Sequence, residues 1–245
     1  MEPERWARLG HLTGRRPPGR KDPETYAKAL RGITIAQRDA WRLLRGGAPV
    51  ATCWNLAVIE PADGTITAEQ HARTLHRLMW DVQVSAQRDG VVDIPNLAID
   101  QVEDLMASAD VLGVTYHGSV ATSPDGSLVP YPLGGLPAED GSTHWPEGLG
   151  HVVRRLHDAL PNRPVLLAGF GVGTTDDRRR ADLIRATNDV LIDARRDGVE
   201  VIGAIYDSTI DGYDWRGGRR VPRGLFDDGR NPKGSALTLE ELARS

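Results

Sequence analysis

His117 and Asp207 are the residues of this 245-residue chain best suited to acid/base chemistry. Each stands directly after an apolar run, Val111–Tyr116 and Val199–Tyr206, in the position where parallel α/β proteins carry their functional side chains. A histidine titrates near neutral pH and can act as general base, with an aspartate orienting it or serving as a separate acid. The bland alternatives are a hydrogen-bonded histidine in a polar rim and a solvated aspartate. Asp211, Asp214 and Trp215 follow Asp207 closely. Asp214 adds a further carboxylate, while Trp215 and Tyr213 offer flat faces for stacking on a sugar or another flat ligand, or else pack in the core or their own loop. Tyr116 is either a ligand contact or a core residue. Asn55 and Glu60 end another run; Asn55 is a candidate ligand contact, and Glu60, before Pro61, more simply shapes a turn. Gly169, Gly171 and Gly173 precede a helix expected from Thr174, a weak echo of a phosphate cradle whose spacing is not a dinucleotide fingerprint. His71, His76, His144, His151 and His157 lack ligand spacing, so neither a metal nor another cofactor is expected.

These positions depend on four short apolar runs that predict buried parallel strands: Pro49–Leu56, Val111–His117, Pro164–Phe170 and Val199–Tyr206. Amphipathic helices are predicted between them. One is capped by Thr67, with Gln70 completing a capping box and Leu75, Leu78, Met79 and Val82 on its apolar face. A short one carries Val102, Leu105 and Met106; another carries Leu149, Val152, Val153, Leu156 and Leu160; a fourth carries Leu183, Ile184, Val190, Leu191 and Ala194. A helix opened by Asp22 and Pro23 precedes them all, with Tyr26, Leu30, Ile33, Ala40 and Leu43 as its apolar residues. Gly118–Gly141 and Arg216–Ser235 read as loops. The alternation predicts an α/β fold of one domain over residues 1–245. Four strands are too few for a closed (β/α)8 barrel and would leave two sheet edges exposed. A compact open sheet, or a half-barrel completed by oligomerisation or by a partner chain, resolves that.

The apolar fraction is 40%, the charged fraction 26% and the net charge −4, so the composition lacks the basic footprint of a nucleic-acid binder. Cys53 is the single cysteine, in an apolar setting that suggests a buried thiol. No apolar run long enough to cross a bilayer occurs, and the first residues are charged, so no membrane partner and a cytoplasmic location are the expectations.

The segment Gly203-Ala-Ile-Tyr-Asp-Ser-Thr-Ile-Asp-Gly-Tyr-Asp-Trp215, then Arg223-Gly-Leu and Arg230-Asn-Pro-Lys-Gly-Ser235, resembles the close of family 1 glycoside hydrolases in order and spacing. Leu112-Gly-Val-Thr-Tyr-His117, Trp145-Pro-Glu-Gly-Leu149 and Pro164-Val-Leu-Leu-Ala-Gly-Phe-Gly171 resemble earlier strands and a helix start of the same family. Met1-Glu-Pro3 resembles its acid/base motif. The resemblance implies the C-terminal half of a TIM-type barrel, beginning at the family's fourth strand, and leaves open whether the natural chain extends upstream of Met1. It also implies roles. Glu2 maps to the acid/base, although at a chain end it is expected to fray. Gly169 maps to the nucleophile, His117 to the tyrosine beside it, Asp207 to the tryptophan under the sugar, and Asp214 to the glutamate that holds sugar hydroxyls. Trp215 keeps the family residue and Asp211 matches a structural aspartate.

Retaining hydrolysis needs two carboxyl groups about 5–5.5 Å apart. A glycine at the nucleophile position removes one of them. The sequence therefore suggests a pseudoglycosidase-like protein that binds a sugar- or polyol-like small molecule or performs non-hydrolytic acid/base chemistry (cyclisation, elimination or isomerisation). A β-glucosidase-like hydrolase completed by a partner chain and a noncatalytic interaction subunit are the alternatives.

Overall fold

The structure is a computed structural model that describes residues 2–95, 97–143, 145–213 and 221–244. In chain order it comprises α1 (Pro3–Ala7) with a π-helical turn to Leu12, α2 (Pro23–Leu44), β1 (Ala51–Asn55), β2 (Ile59–Pro61), and α3 (Ile66–His76) with a π-helical turn at Arg77–Asp81. Next come α4 (Val82–Asp89), β3 (Val91–Val92), β4 (Asp100–Gln101), β5 (Val111–Tyr116), β6 (Ser119–Thr122), β7 (Leu128–Tyr131) and α5 (Pro146–Ala159). The chain closes with β8 (Val165–Phe170), α6 (Asp177–Arg196), β9 (Val201–Tyr206) and α7 (Gly234–Arg244).

The four predicted strands are β1, β5, β8 and β9, and they form one sheet in the order β1-β5-β8-β9. Strands β1 and β5 run parallel, Ala51 opposite Val111 and Asn55 opposite Thr115. All six residues of β5 are buried, as expected for a central strand covered on both faces. Gly113 allows the close fit of β1 on β5, because a Cβ there would collide with the Cys53 sulfur. Cys53 is buried, as its setting suggests. The fold is therefore α/β, with the parallel sheet of a partial barrel.

The chain divides into two compact units. The first runs to Leu56 and includes Arg73–Thr115 and Arg155–Leu166. Asp22 caps α2 by accepting from the Glu24 and Thr25 amides, with Pro23 in the first turn. Tyr26, Ala27 and Leu30 of α2 pack with Leu78, Val82, Ala86, Val92, Ile94 and Leu105. Each fully buried Leu or Val contributes about 1.5–3 kcal/mol. The last turns of α2 behave differently from the predicted pattern, since Ala40 and Leu43 are exposed, Leu43 at 85%. A 22-residue helix is about 33 Å long and outruns this core. Leu105 is buried, but not on a helix: residues 102–108 form turns, with Asp104 and Ala107 at positive φ.

Within the same unit His76 lies half-buried, stacked on Trp80 at 6.1 Å, while Arg155 lies 4.8 Å from the Trp80 ring centre. Burial, with the Arg155 charge adding to it, holds the His76 imidazole below its ordinary value, against the opposing pull of Asp81. The fold therefore favours the neutral ring, and the unfolded chain takes up the proton first as pH falls. Stability is expected to decline as pH drops through about 6.5. Denaturant melts of the natural protein and His76→Gln between neutral and mildly acidic pH check this. The variant loses part of the decline, and identical slopes contradict the assignment.

The second unit comprises Ala57–Ala72, Tyr116–Arg154 and the chain from Leu167 onward. Its helix α3 starts at Ile66, and Thr65, not Thr67, supplies the cap by accepting from the Ala68 amide at 3.3 Å. The stretch predicted as loop, residues 118–141, contains the hairpin β6–β7, and β2 joins it in a three-stranded sheet. Glu60 is accordingly a strand residue rather than a turn former. Helix α6 begins at Asp177, three residues later than predicted, because Asp176 caps it. Its opening turn also anchors α7, since Asp177 accepts from the Ser235 amide at 2.9 Å and hydroxyl at 2.7 Å. Among the described residues, no helix is long and apolar enough to cross a membrane.

Candidate functional site

Glu2 is held in the first unit. It adopts a left-handed backbone conformation, φ 54° and ψ 54°, which costs a non-glycine residue about 1 kcal/mol or more. Three interactions hold it there. Its amide donates to the Cys53 carbonyl on β1 at 2.7 Å. Its carboxylate accepts from the Thr115 hydroxyl at 2.6 Å and from Arg5, at 3.0 and 2.9 Å on its two oxygens. Asn55 donates weakly to the same Thr115 hydroxyl at 3.4 Å. Glu2 is 8% exposed, so the expected frayed terminus is not found. Pro3 opens a helix behind it, and the charge-assisted bonds fix its side chain.

The remaining described candidates lie in the second unit. Tyr116 ends β5 as a core residue: its hydroxyl donates to the Trp145 carbonyl at 2.8 Å and meets Ser119 at 3.0 Å. Burial pushes its phenol far above the ordinary value, so it serves as a hydrogen-bond donor and not as a base. His117 follows, half-buried. Gly169 is the buried penultimate residue of β8. Phe170 after it packs edge-on against Tyr206 at 5.3 Å. Asp207 directly follows β9, with an exposed side chain, and its amide donates to the Phe170 carbonyl at 2.8 Å. The Asp207–Ser208 peptide is cis. Asp214 and Trp215 fall outside the described residues, and Tyr213 before them is 65% exposed.

Asp211 is structural, as its mapping implies. It accepts from the Gly224 amide at 2.7 Å and from Lys233 at 2.6 Å, while Lys233 also donates to the Gly224 carbonyl. The glycine-rich segment after β8 is not a phosphate cradle, because its donors are already engaged. The Gly173 amide goes to Asp140 at 2.8 Å, the Thr175 amide to Glu139 at 3.0 Å, and the first amides of α6 to Asp176. The Thr175 hydroxyl and amide, helped by Thr174, bring the Glu139 carboxyl down to about 2. Asp140 also pairs with Arg223 at 2.9 Å. Sequence inspection missed Glu139, Asp140 and Arg223 as a group. Arg223 lies in the family-like Arg-Gly-Leu step, but the two acids sit in a stretch without periodicity. A crevice lined by Tyr116, Gly118, Trp145, Leu149, Phe170 and Gly171 measures about 10 Å³, room for roughly one water and far from sugar-sized. Among the described residues, no group of three or more His, Cys, Asp or Glu side chains is arranged to hold a metal.

Comparison with solved structures decides the fold. The family 1 β-glucosidase of Thermotoga maritima superposes with a TM-score of 0.85 over 99% of this chain, at 19% identity. The β-glycosidase of Pyrococcus horikoshii does so with a TM-score of 0.89 over the whole chain, at 24% identity. This is a family 1 glycosidase-like fold. The family 1-like chain spans 62% and 59% of those two proteins. Curated relatives agree. The 6-phospho-β-galactosidase of Staphylococcus haemolyticus is 32% identical over 117 residues, which is 41% of this chain and 25% of that protein. The peroxisomal β-glucosidase 26 of Arabidopsis thaliana is 26% identical over 199 residues, 62% of this chain and 34% of that one. The family 1-like chain thus spans about a quarter to a third of these two relatives. No family model matches it.

Proposed function

We propose that this family 1-like chain binds a sugar- or polyol-like small molecule at its strand ends and does not carry out retaining glycoside hydrolysis. Gly169 carries the proposal. At the end of β8, where the resemblance puts the attacking carboxylate, the chain has a buried residue with no side chain. Without that carboxylate no glycosyl-enzyme forms there. By the same resemblance Asp207 puts a carboxylate where the family has a tryptophan, His117 an imidazole in place of a phenol, and Asp214 keeps an acid one methylene shorter. They suit recognition of hydroxyl groups, or proton transfer in a cyclisation, elimination or isomerisation.

A second possibility has its own support. Glu2, at the position the resemblance gives to the acid/base, is held by Arg5 and Thr115, which supports reading it as the retained half of a glycosidase pair. A β-glucosidase-like hydrolase completed by a partner chain would keep that residue.

Two measurements separate these. Titration calorimetry with glucoimidazole, a ligand bound by the Thermotoga maritima enzyme, tests binding. Incubation with a nitrophenyl β-glucoside, with and without azide, tests turnover. Binding without turnover is expected. Glycosyl azide formed only when azide is present supports the second possibility, since azide replaces a missing nucleophile. Hydrolysis without azide, or no binding at all, overturns the proposal.

A further inference from the structure

His117 and Asp207 each sit between two neighbours that are fixed by segments far along the chain. Tyr116, before His117, donates its hydroxyl to the Trp145 carbonyl at 2.8 Å. Gly118, after it, lies so close to Thr143 that a Cβ there would meet the Thr143 carbonyl oxygen at 2.7 Å. The segment ending at Trp145 therefore brackets His117. Asp207 has a bracket of its own. The Tyr206 hydroxyl donates to the Arg223 carbonyl at 3.3 Å, and the Leu225 amide donates to the Ser208 carbonyl at 3.3 Å.

Asp140 joins the two brackets. Residues 138–142 form a tight turn, in which the Ala138 amide donates to the Ser142 carbonyl and the Gly141 amide to the Ala138 carbonyl, both at 2.8 Å. One Asp140 oxygen accepts from the Ser142 amide at 3.0 Å and from the Ser142 hydroxyl. The other accepts from the Gly173 amide at 2.8 Å and from Arg223 at 2.9 Å. Four donors thus converge on one carboxylate, which matches the acceptor capacity of the ionised group. The Asp140 and Arg223 side chains are only 12% and 20% exposed, so solvent screens the pair little. An amide in place of the carboxylate has a single oxygen and cannot serve all of these donors.

We infer that Asp140 is a positioning residue of the ligand site, whose carboxylate sets His117 and Asp207 relative to each other by tying their brackets together. The inference rests on the reading that this pair belongs to a binding or acid/base site. Asp140→Asn should displace the His117 imidazole resonances of the folded protein, identified by their loss in His117→Gln. It should also weaken glucoimidazole binding about tenfold, the order that a small misplacement of positioned groups costs. Arg223→Met cuts the same tie from the other side, while Asp140 keeps its Gly173 and Ser142 donors. It should move the resonances in the same direction and weaken binding too, and Arg223→Lys, which retains the cation, should recover most of the affinity. A charge effect alone would push the ring in opposite directions, because the two variants remove opposite charges. Should Asp140→Asn not fold, the two Arg223 variants decide by themselves. Leu191→Ala, toward the far end of α6, lowers the denaturation midpoint by opening a core cavity and should leave both readouts unchanged. Unmoved His117 resonances, opposite shifts in Asp140→Asn and Arg223→Met, or an equal shift in Leu191→Ala overturn the inference. If the natural chain binds no glucoimidazole, the ligand reading falls and the resonances alone judge Asp140.

Discussion

Arg180→Ala is expected to lower the free energy of unfolding by about 3–5 kcal/mol, the usual cost of removing one partner from a buried ionic group. Arg180 is 1% exposed. Its guanidinium pairs with Asp177 and donates to the Thr174 carbonyl at 2.5 Å and the Pro222 carbonyl at 3.0 Å. One side chain therefore ties the start of α6 to the segments before and after it. Truncation takes that donor from the buried Thr174 carbonyl and from the half-buried Pro222 carbonyl, and opens a cavity where the stem packed. Arg180→Met keeps most of the volume and isolates the hydrogen-bonding part of the loss. Urea melts measure both. A loss below about 1 kcal/mol for the alanine variant, no more than an ordinary hydrogen bond contributes, would show that the guanidinium is dispensable.

Gly171→Ala should cost about 3 kcal/mol, the upper part of the range for forced overpacking. A Cβ at this position would collide with the Asp207 carbonyl oxygen and lie 3.3 Å from the Tyr206 ring. The obstacle is backbone, so no rotamer change relieves it, and β8 must separate from the turn that follows β9. Asp207 would move with that turn. The same variant should therefore weaken glucoimidazole binding as well as lower the denaturation midpoint. Wild-type stability in Gly171→Ala would contradict the close approach of these two strand ends.

Strand β5 is legible in the sequence because a strand buried on both faces reads as a nearly continuous apolar run, and β8 and β9 are legible because their runs are apolar too, although several β9 residues are exposed. Helix α5 is legible because Leu149, Val152, Val153 and Leu156 keep a strict helical spacing, and all four are buried. The hairpin β6–β7 is not, since half of β6 is polar and Pro130 interrupts β7. An edge strand tolerates that proline, and β7 is an edge strand. Helix α7 escapes notice for another reason: the buried residues recorded on it are Ser235 and Thr238, so hydrophobic periodicity carries no signal. The strand-end positions of His117, Asp207 and Asn55 are legible from the apolar runs alone. The fixed position of Glu2 is not, because Thr115 lies 113 residues away and local sequence does not reveal that contact. Asp140 has the same problem at smaller separation, since its partners Gly173 and Arg223 lie on segments far along the chain.

Asp211 reaches forward to Gly224 and Lys233, and Ile210 forms a β-bridge with Phe226. The Phe226 amide also donates to the Thr209 carbonyl at 3.0 Å. Thr209–Asp211 and Gly224–Phe226 are thus stapled to each other by their own bonds, so the turn that follows Asp207 is anchored by residues far along the chain and not by its own sequence alone.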